Sequence, residues 1–262
     1  KGAVLLQHEG ADAGAGLLGH HLPGNDVGVV LGDADQDLVA GRPRDGLEQA
    51  QRVVAARGRL GEARPRDARR AVQVEALAAA NCLINDDGVV IAHNTDGDGL
   101  VRSLRVENDT DPSGARVVVL GAGGAARSVI EALGRAGAAD VVVVNRTQAR
   151  AERAAALAGP VGRVGSVDAI VEADIVINAT SVGMDGVSSP SPGGSFAASQ
   201  TVVDLIYRPL STPWLTAARD VGANAVNGVG MLLHQAAIQL ELWTGIDAPI
   251  DAMRDSVADV IG

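Results

Sequence analysis

The chain has 262 residues, enough for one large domain or two smaller ones, and although 47% are hydrophobic, no apolar run reaches the roughly 20 residues of a membrane span. The formal net charge of −10 argues against a nucleic-acid partner, and the first residues lack the pattern of a signal peptide. A single cysteine, Cys82, excludes an internal disulfide, so we expect a cytoplasmic protein with no membrane partner in which Cys82 is a small buried residue.

The composition changes abruptly near residue 80. Residues 1–80 contain no Ser, Thr, Ile, Met, Cys, Phe, Tyr or Trp, although all of these occur from Asn81 onward. Folded domains normally use these residues in caps, turns and cores. Apart from Lys1 and Asn25, every residue of the segment has a codon that begins with G or C, as expected for a GC-rich gene read in another frame. We therefore predict that most of residues 1–80 is not the ancestral reading frame; an unusually biased but genuine domain is the alternative.

The first segment nevertheless contains short periodic stretches. AVLLQH (3–8) and VGVVLG (27–32) are expected to be strands, and LEQAQRVVAA (47–56) a short helix. Nine arginines lie between residues 42 and 70, but acidic residues interrupt them. This mixture favours a solvated or disordered stretch over an anion site.

The stretch HNTDGDG is rich in residues that favour turns and metal loops. Asn94, Asp96, Asp98 and Gly99 fit four positions of a calcium-binding loop, but the position of the essential glutamate is occupied by Arg105, whose charge would repel calcium. No metal site is therefore predicted. This stretch could also be a plain turn with no functional role, because Asn, Asp and Gly favour turns.

A nucleotide-binding pattern begins at residue 115. The apolar run VVVL predicts a buried parallel strand, and Gly121, Gly123 and Ala126 form G-x-G-x-x-A directly after it. The glycines permit a tight turn and a close backbone approach to a pyrophosphate, which the helix N-terminus attracts. The following helix has apolar residues at helical spacing, at Ala126, Val129, Ile130 and Leu133.

The end of the next strand, DVVVVN (140–145), indicates which cofactor is bound. An NAD site usually has an acidic residue there, whereas this chain has Asn145, Arg146 and Thr147, with Arg150 nearby. An arginine can bind the 2′-phosphate of NADP with charge-assisted hydrogen bonds. NADP is therefore favoured over NAD; a surface arginine without a ligand is the alternative.

Further strands continue the same fold. DIVINAT (174–180) and VVDLIY (202–207) are apolar runs, and Thr212 followed by Pro213 predicts the start of a helix. Residues 115–230 thus predict an α/β fold with a doubly wound parallel sheet of the Rossmann type. Tyr207 is expected to end its strand, where such sheets bind ligands; capping or packing is the alternative.

A later helical segment carries a second candidate side chain. In VGMLLHQAAIQLELW, Gln235 lies off the apolar stripe and could face a cleft; solvent exposure is the alternative. The stripe comprises Val229, Leu232, Leu233, Ala236, Leu240 and Trp243.

Taken together, these segments resemble the shikimate dehydrogenase family over about residues 78–262. The matching segments are AANCLINDDGVVIAHNTDGDG, VVVLGAGGAARSVIEAL, VVVVNRTQAR, DIVINATSVGM, VVDLIYRPLSTPWLTAAR and NGVGMLLHQAAIQLELWTG. Glutamyl-tRNA reductase has a similar nucleotide domain, but NTDG and MLLHQ favour the shikimate enzymes. The resemblance implies NADPH-dependent reduction of 3-dehydroshikimate to shikimate in aromatic amino-acid (chorismate) biosynthesis.

The resemblance also implies roles for individual residues. Asp96 corresponds to the acid of a Lys–Asp catalytic pair. The substrate-binding positions are Asn81, Asp96, Tyr207 and Gln235. The cofactor-binding positions are Gly121, Ala122, Gly123, Gly124 and Ala125 at the pyrophosphate, Asn145, Arg146, Thr147 and Arg150 at the adenosine ribose and its 2′-phosphate, and Leu205 and Gly228 beside the nicotinamide.

Two domains are expected. Residues 1–100, together with the C-terminal helices of residues 233–262, would form a smaller α/β substrate domain that is atypical or degraded here. Residues 101–232 would form the NADP-binding domain. The family's serine pair and catalytic lysine are missing, because residues 1–80 contain no serine and Lys1 is the only lysine. Turnover is therefore expected to be impaired. The alternatives are an NADP-binding pseudoenzyme and a relative acting on quinate or an aminated analogue. The oligomeric state is left open, with a homodimer as one option.

Overall fold

The computed structural model describes residues 4–6, 28–30, 77, 79–86, 89–191 and 196–261. The chain divides into two compact units, Lys1–Thr95 with Leu242–Gly245, and Asp96–Glu241 with Ile246–Gly262. The domain limits expected from the sequence stay a prediction. Within the described ranges, no helix is both long and apolar enough to cross a membrane.

The first unit contains two small sheets. Strands β1 (Val4–Leu6) and β2 (Gly28–Val30) pair in parallel and lie inside the two strands predicted for this segment. Strands β3 (Cys82–Asp86) and β4 (Val89–His93) form an antiparallel pair, and Cys82 is fully buried, as predicted. The helix predicted at 47–56 and the arginine-rich stretch lie outside the described residues.

The second unit is built on a six-stranded parallel sheet with the order β10-β9-β8-β5-β6-β7. The predicted doubly wound parallel sheet is therefore confirmed. Helices cover both faces of such a sheet, so both sets of alternating side chains of each strand are buried and the strand is continuously apolar. The strands are β5 (Arg116–Leu120), β6 (Asp140–Val144), β7 (Gly162–Val164), β8 (Ile175–Asn178), β9 (Thr201–Asp204) and β10 (Asn224–Val226).

Six helices of this unit are described, with short 3₁₀ segments at Ala156–Val161 and Val167–Glu172. Pro213 opens one helix, and the preceding Thr212 caps it by accepting a hydrogen bond from the backbone N–H of Leu215, as predicted. The helices are α1 (Asp96–Glu107), α2 (Gly124–Arg135), α3 (Gln148–Ala155), α4 (Pro213–Asp220), α5 (Val229–Thr244) and α6 (Ile250–Ile261).

The core has two layers, one on each face of the sheet. Along β5, Val117 and Val119 point to one apolar cluster, whereas Val118 and Leu120 point to the other. The first cluster includes the predicted buried positions of α2, and the second includes Trp214. Burial on both faces explains why these strands are valine-rich and lack polar alternation.

Strand order fixes where a ligand can bind. β5 pairs with β6 on one side and with β8 on the other, so the chain runs outward from β5 through β6 to β7 and then crosses back to β8 on the other side of β5. In open α/β sheets the crevice at this switch point, at the carboxyl ends of the strands, is the usual ligand site. The turn at Gly121 leaves β5 at this point.

Helix α5 is buried differently from the predicted stripe. His234, Gln235 and Gln239 are all buried, whereas most of the predicted apolar positions are only partly buried. Apolar periodicity could not predict this arrangement, because polar side chains become buried when tertiary partners satisfy them. The alternative of a solvent-exposed Gln235 is therefore wrong.

Candidate active site

The stretch HNTDGDG contains the end of β4, a short link and the first turn of α1, which begins at Asp96. The backbone N–H of Gly97 donates to Ser128 Oγ of α2 at 2.8 Å, and Ser128 is fully buried. The first helical turn has N–H groups without intrahelical partners, and Ser128 satisfies one of them. Asp96 is thus placed at a helix start that is tied to α2.

Close packing, rather than turn formation, explains the two glycines that follow. A Cβ atom at Gly97 would overlap the backbone oxygen of Ser128, and one at Gly99 would lie 2.7 Å from the backbone nitrogen of Gln235. Helix α1 therefore packs directly on α2 and α5. Asp96 lies one turn of α1 before Gly99, the residue that contacts Gln235. The neighbouring Asp98 forms an ion pair with Arg135 at 2.7 Å.

Gln235 is held inside α5 by its own hydrogen bonds. Its Nε2 donates to the backbone oxygen of Leu232 at 3.0 Å, and its Oε1 accepts from Gln239 Nε2. Only 3% of the residue is exposed. The amide is therefore oriented by the helix on which it lies.

Asn81 belongs to the first unit and is bound to the end of that unit. Its Oδ1 accepts from the Thr95 backbone N–H at 2.9 Å, and its Nδ2 donates to Thr95 Oγ1 at 3.1 Å. Asn94 Nδ2 donates to the backbone oxygen of Ala79 at 3.3 Å. These buried bonds fix the segment that directly precedes Asp96 in the chain.

The glycine turn after β5 has the geometry of a phosphate site. Gly121 has φ of 116°, and its backbone N–H donates to the backbone oxygen of Val144 at 2.8 Å. Among the described residues, Gly123 caps α2 without a side-chain hydrogen bond, and no heavy atom apart from those of its chain neighbours lies within 4 Å of where its Cβ would be. This open space lets a ligand reach the uncapped N–H groups at the helix start, so the turn fits a pyrophosphate.

Positive charge lies beside this turn at the end of β6. Asn145 Nδ2 donates to the Thr147 backbone oxygen at 3.1 Å, which shapes the loop, and Arg146 is exposed. Burial lowers the pKa of the Arg127 guanidinium, and the charge of Arg153 lowers it further. Like charges close together favour a bound anion, so this edge fits a 2′-phosphate.

The two positions expected beside a nicotinamide are in contact. A Cβ atom at Gly228 would overlap the backbone oxygen of Leu205, and the Gly228 N–H donates to the Ile206 backbone oxygen at 3.0 Å. Only glycine permits this approach. The structure thus brings together residues that are 23 positions apart in the sequence.

Tyr207 does not end a strand, so that prediction is wrong. β9 ends at Asp204, and Tyr207 lies in the following loop with 41% of its surface exposed. The chain leaves the sheet early because Asp204 Oδ1 accepts the backbone N–H of Ile206 at 3.1 Å, a local bond that competes with strand pairing.

Sequence reasoning missed a buried polar network at the ends of β8 and β9. Asn178 and Asp204 are fully buried and joined by an Asn178 Nδ2 to Asp204 Oδ1 hydrogen bond of 3.0 Å. Thr212 Oγ1 donates to Asp204 Oδ2 at 2.7 Å. A polar residue that ends an otherwise apolar strand, as in IVIN and TVVD, was the signal available in the sequence.

No group of three or more His, Cys, Asp or Glu residues suited to a metal ion occurs in the described part of the chain.

Comparison with known proteins identifies two sequence-family matches. Residues 104–185 match the family described as shikimate/quinate 5-dehydrogenase, and residues 228–258 match the shikimate 5′-dehydrogenase C-terminal domain. A shikimate dehydrogenase (NADP(+)) of Moorella thermoacetica is 42% identical over 198 residues, which cover 71% of this chain and 67% of that relative.

Solved structures agree with the sequence matches. A shikimate 5-dehydrogenase from Thermus thermophilus, in complex with NADP(H) and shikimate, has a TM-score of 0.68 and 31% identity, covering 83% of this chain and 85% of that one. A 5-ketofructose reductase of a Gluconobacter species has a TM-score of 0.67 and 30% identity, covering 84% and 85%.

Proposed function

Because the chain belongs to the shikimate dehydrogenase family, we propose that it binds NADPH and reduces 3-dehydroshikimate to shikimate. The observation that carries this proposal is the uncapped glycine turn at Gly121 and Gly123, placed where β5 and β8 diverge and beside the arginines that follow β6. This combination supports NADP rather than NAD, because a 2′-phosphate needs positive charge where NAD enzymes have an acidic residue.

The cofactor residues follow from this placement. NADPH, when bound, supplies the hydride. Backbone N–H groups of the first turn of α2 would hold the pyrophosphate, and Arg146 with Arg150 would hold the 2′-phosphate. The contact between Leu205 and Gly228 would form a surface for the nicotinamide. The full cofactor set is Gly121, Ala122, Gly123, Gly124, Ala125, Asn145, Arg146, Thr147, Arg150, Leu205 and Gly228.

The proposed substrate residues come from several segments of the chain. Asp96 at the start of α1 and Gln235 on α5 belong to packed helices of the second unit, and Tyr207 lies in the loop after β9. Asn81 in the first unit is a further proposed substrate contact. Asp96 would orient a substrate hydroxyl and take part in proton transfer.

Proton delivery is the step for which this chain lacks the family's lysine. A reductase must give a proton to the oxygen that receives the hydride, and the family uses a lysine for this step. Lys1 is the only lysine of the 262 residues. An arginine is a poor substitute, because it does not lose its proton near neutral pH. We therefore expect NADPH binding to be retained and turnover to be low.

The test measures binding and turnover separately. NADPH and NADH titrations followed by cofactor fluorescence should give tighter binding of NADPH. Oxidation of NADPH that depends on 3-dehydroshikimate should proceed roughly 10² to 10⁴ times slower than in an enzyme with its general acid. Binding without any such oxidation would favour an NADP-binding pseudoenzyme. NADPH oxidation that occurs only with the ketone derived from quinate would favour the relative of different specificity. No NADPH binding at all would refute the proposal.

We further propose that the protein is cytoplasmic. A homodimer is one option for its oligomeric state, and light scattering after size-exclusion chromatography measures that state. A monomeric mass would refute the dimer.

A further inference from the structure

Asp204 is a buried carboxyl group for which the proposed reaction has no use. It ends β9, none of its surface is exposed, and it lies three residues before Tyr207. Buried carboxyl groups are costly unless several donors satisfy them. The identity of the donors therefore indicates what Asp204 does.

Three donors from different segments converge on the two carboxyl oxygens. Asn178 Nδ2 at the end of β8 and the Ile206 N–H donate to Oδ1, at 3.0 and 3.1 Å. Thr212 Oγ1, which also caps α4, donates to Oδ2 at 2.7 Å. Burial raises the pKa of Asp204, although hydrogen bonds from Thr212, Ile206 and Asn178 oppose the rise.

The bond to Thr212 closes the loop that carries Tyr207. Asp204 and Thr212 stand at the two ends of residues 205–211, so their hydrogen bond joins the base of the loop. Tyr207 has 41% of its surface exposed, and in the described part of the chain its hydroxyl makes no hydrogen bond. The conformation of the loop therefore decides where the Tyr207 ring lies.

The bond to Asn178 extends the same network to a second loop. Asn178 Nδ2 also donates to the Val182 backbone oxygen at 3.0 Å, and its Oδ1 accepts from Thr180 Oγ1 at 2.7 Å. One carboxylate thus holds the beginnings of both loops that leave the carboxyl ends of β8 and β9.

We propose that Asp204 is a positioning residue whose carboxylate fixes the 205–211 loop, and through it the Tyr207 ring, in the orientation that contacts the substrate. The contact between Tyr207 and the substrate rests on the proposed function. The fixing of the 205–211 loop depends only on the hydrogen bonds that Asp204 accepts.

The experiment uses Tyr207 as its own reporter. It is the only tyrosine in the chain, so incorporation of 3-fluorotyrosine gives a single ¹⁹F resonance. Asp204→Ala and Thr212→Val should each shift or broaden this resonance in the ligand-free protein. Both should also weaken shikimate binding in the presence of NADP+ by about 10-fold, the effect expected when the displaced Tyr207 hydroxyl no longer hydrogen-bonds the substrate. Asp204→Asn keeps the shape and one acceptor and should recover part of both effects.

Asp174→Ala is the matched control, because this carboxylate accepts the Arg116 backbone N–H at 2.8 Å at the amino-terminal ends of β5 and β8, the end of the strands opposite to Asp204. It should leave the resonance unchanged. If Asp204→Ala does not fold, Thr212→Val and Asp204→Asn carry the same test. Folded variants with the wild-type resonance and shikimate affinity would overturn the proposal. If the Tyr207 resonance of the wild-type protein does not change when shikimate and NADP+ are added, that result counts against the proposed function. The spectra of the ligand-free variants would still decide whether Asp204 positions the loop.

Discussion

At the residue scale, we propose that cofactor choice depends on charge at a single strand end. The sequence places Arg146 and Arg150 after β6, where NAD enzymes have an acid, and the structure adds the half-buried Arg127 near Arg153. Residues 145–151 contain no carboxylate that would repel a phosphate. We therefore expect selectivity for NADP to depend on a few guanidinium groups rather than on the fold.

Replacement of Arg146 with Gln tests this view directly. NADPH affinity should fall about 10- to 100-fold, the effect of losing a hydrogen bond to a charged group, whereas NADH affinity should stay within about 2-fold. Fluorescence titration with both cofactors measures the two effects. Arg163→Gln is the control, since Arg163 pairs with Asp140 at the start of β6. Equal losses for the two cofactors would contradict a 2′-phosphate contact.

At the scale of the elements, the helices that carry the proposed substrate residues are held by close contacts and buried polar groups. Glycines let α1 approach α2 and α5, and a carboxylate joins α1 to α5 and α6. A change in either kind of contact should therefore alter the stability of the protein.

Gly97→Ala should destabilise the protein although alanine favours helices. The propensity gain is about 1 kcal/mol. The added methyl group would overlap the backbone of Ser128, and relieving such a clash costs about 1 to 3 kcal/mol or more. A net loss in the free energy of unfolding, measured by urea denaturation, is expected. Asp98→Ala, at the next position, should change it by less than about 1 kcal/mol because only a surface ion pair is lost. A more stable Gly97→Ala protein would show that α1 does not pack as described.

Glu107 should make the docking of α5 and α6 depend on pH. Its Oε1 lies 2.7 Å from His234 Nε2, and Arg254 of α6 donates to the same oxygen. Burial acts to raise the pKa of Glu107, but hydrogen bonds from Arg254 and His234 outweigh it, so the pKa lies below its ordinary value of 4.5.

Because the folded state lowers the pKa of Glu107, the ionised carboxylate stabilises the folded protein. This contribution to the free energy of unfolding is fully present above pH 4.5, the ordinary pKa, and is lost as the pH falls through the lower pKa of the folded state. Glu107→Gln should therefore be less stable than the wild type near pH 7, by about 1 to 3 kcal/mol for a lost charged hydrogen bond. The difference should shrink as the pH falls below 4.5. Urea denaturation at several pH values measures this. A difference independent of pH would mean that the charge of Glu107 does not contribute.

At the scale of the whole molecule, the chain combines a family-typical part with a first segment of different composition. The Moorella relative aligns with 71% of the chain, and residues 1–80 lack the residue types of the family's serine and lysine motifs apart from Lys1. The proposed low turnover follows from this segment rather than from the nucleotide-binding unit.

The hypothesis of a changed reading frame is tested in the coding DNA. Translation of the DNA upstream of Asn81 in all frames should give a segment with a serine pair and a lysine. Expression of that restored chain should raise the rate of 3-dehydroshikimate-dependent NADPH oxidation by about 10² to 10⁴. The hypothesis fails if no frame gives a plausible first segment.

The sequence alone determined the parallel sheet, the glycine turn, the preference for NADP and the family, because these depend on local signals: apolar runs, glycines at fixed spacing and residue types at strand ends. Tertiary structure decided what those signals do not encode. Ser128 satisfies the start of α1 from another helix, and Gln235 is buried where α1 packs against α5 at Gly99. Tyr207 leaves the strand because a buried carboxylate, Asp204, bonds its own loop. These features depend on side chains whose burial and proximity only folding creates.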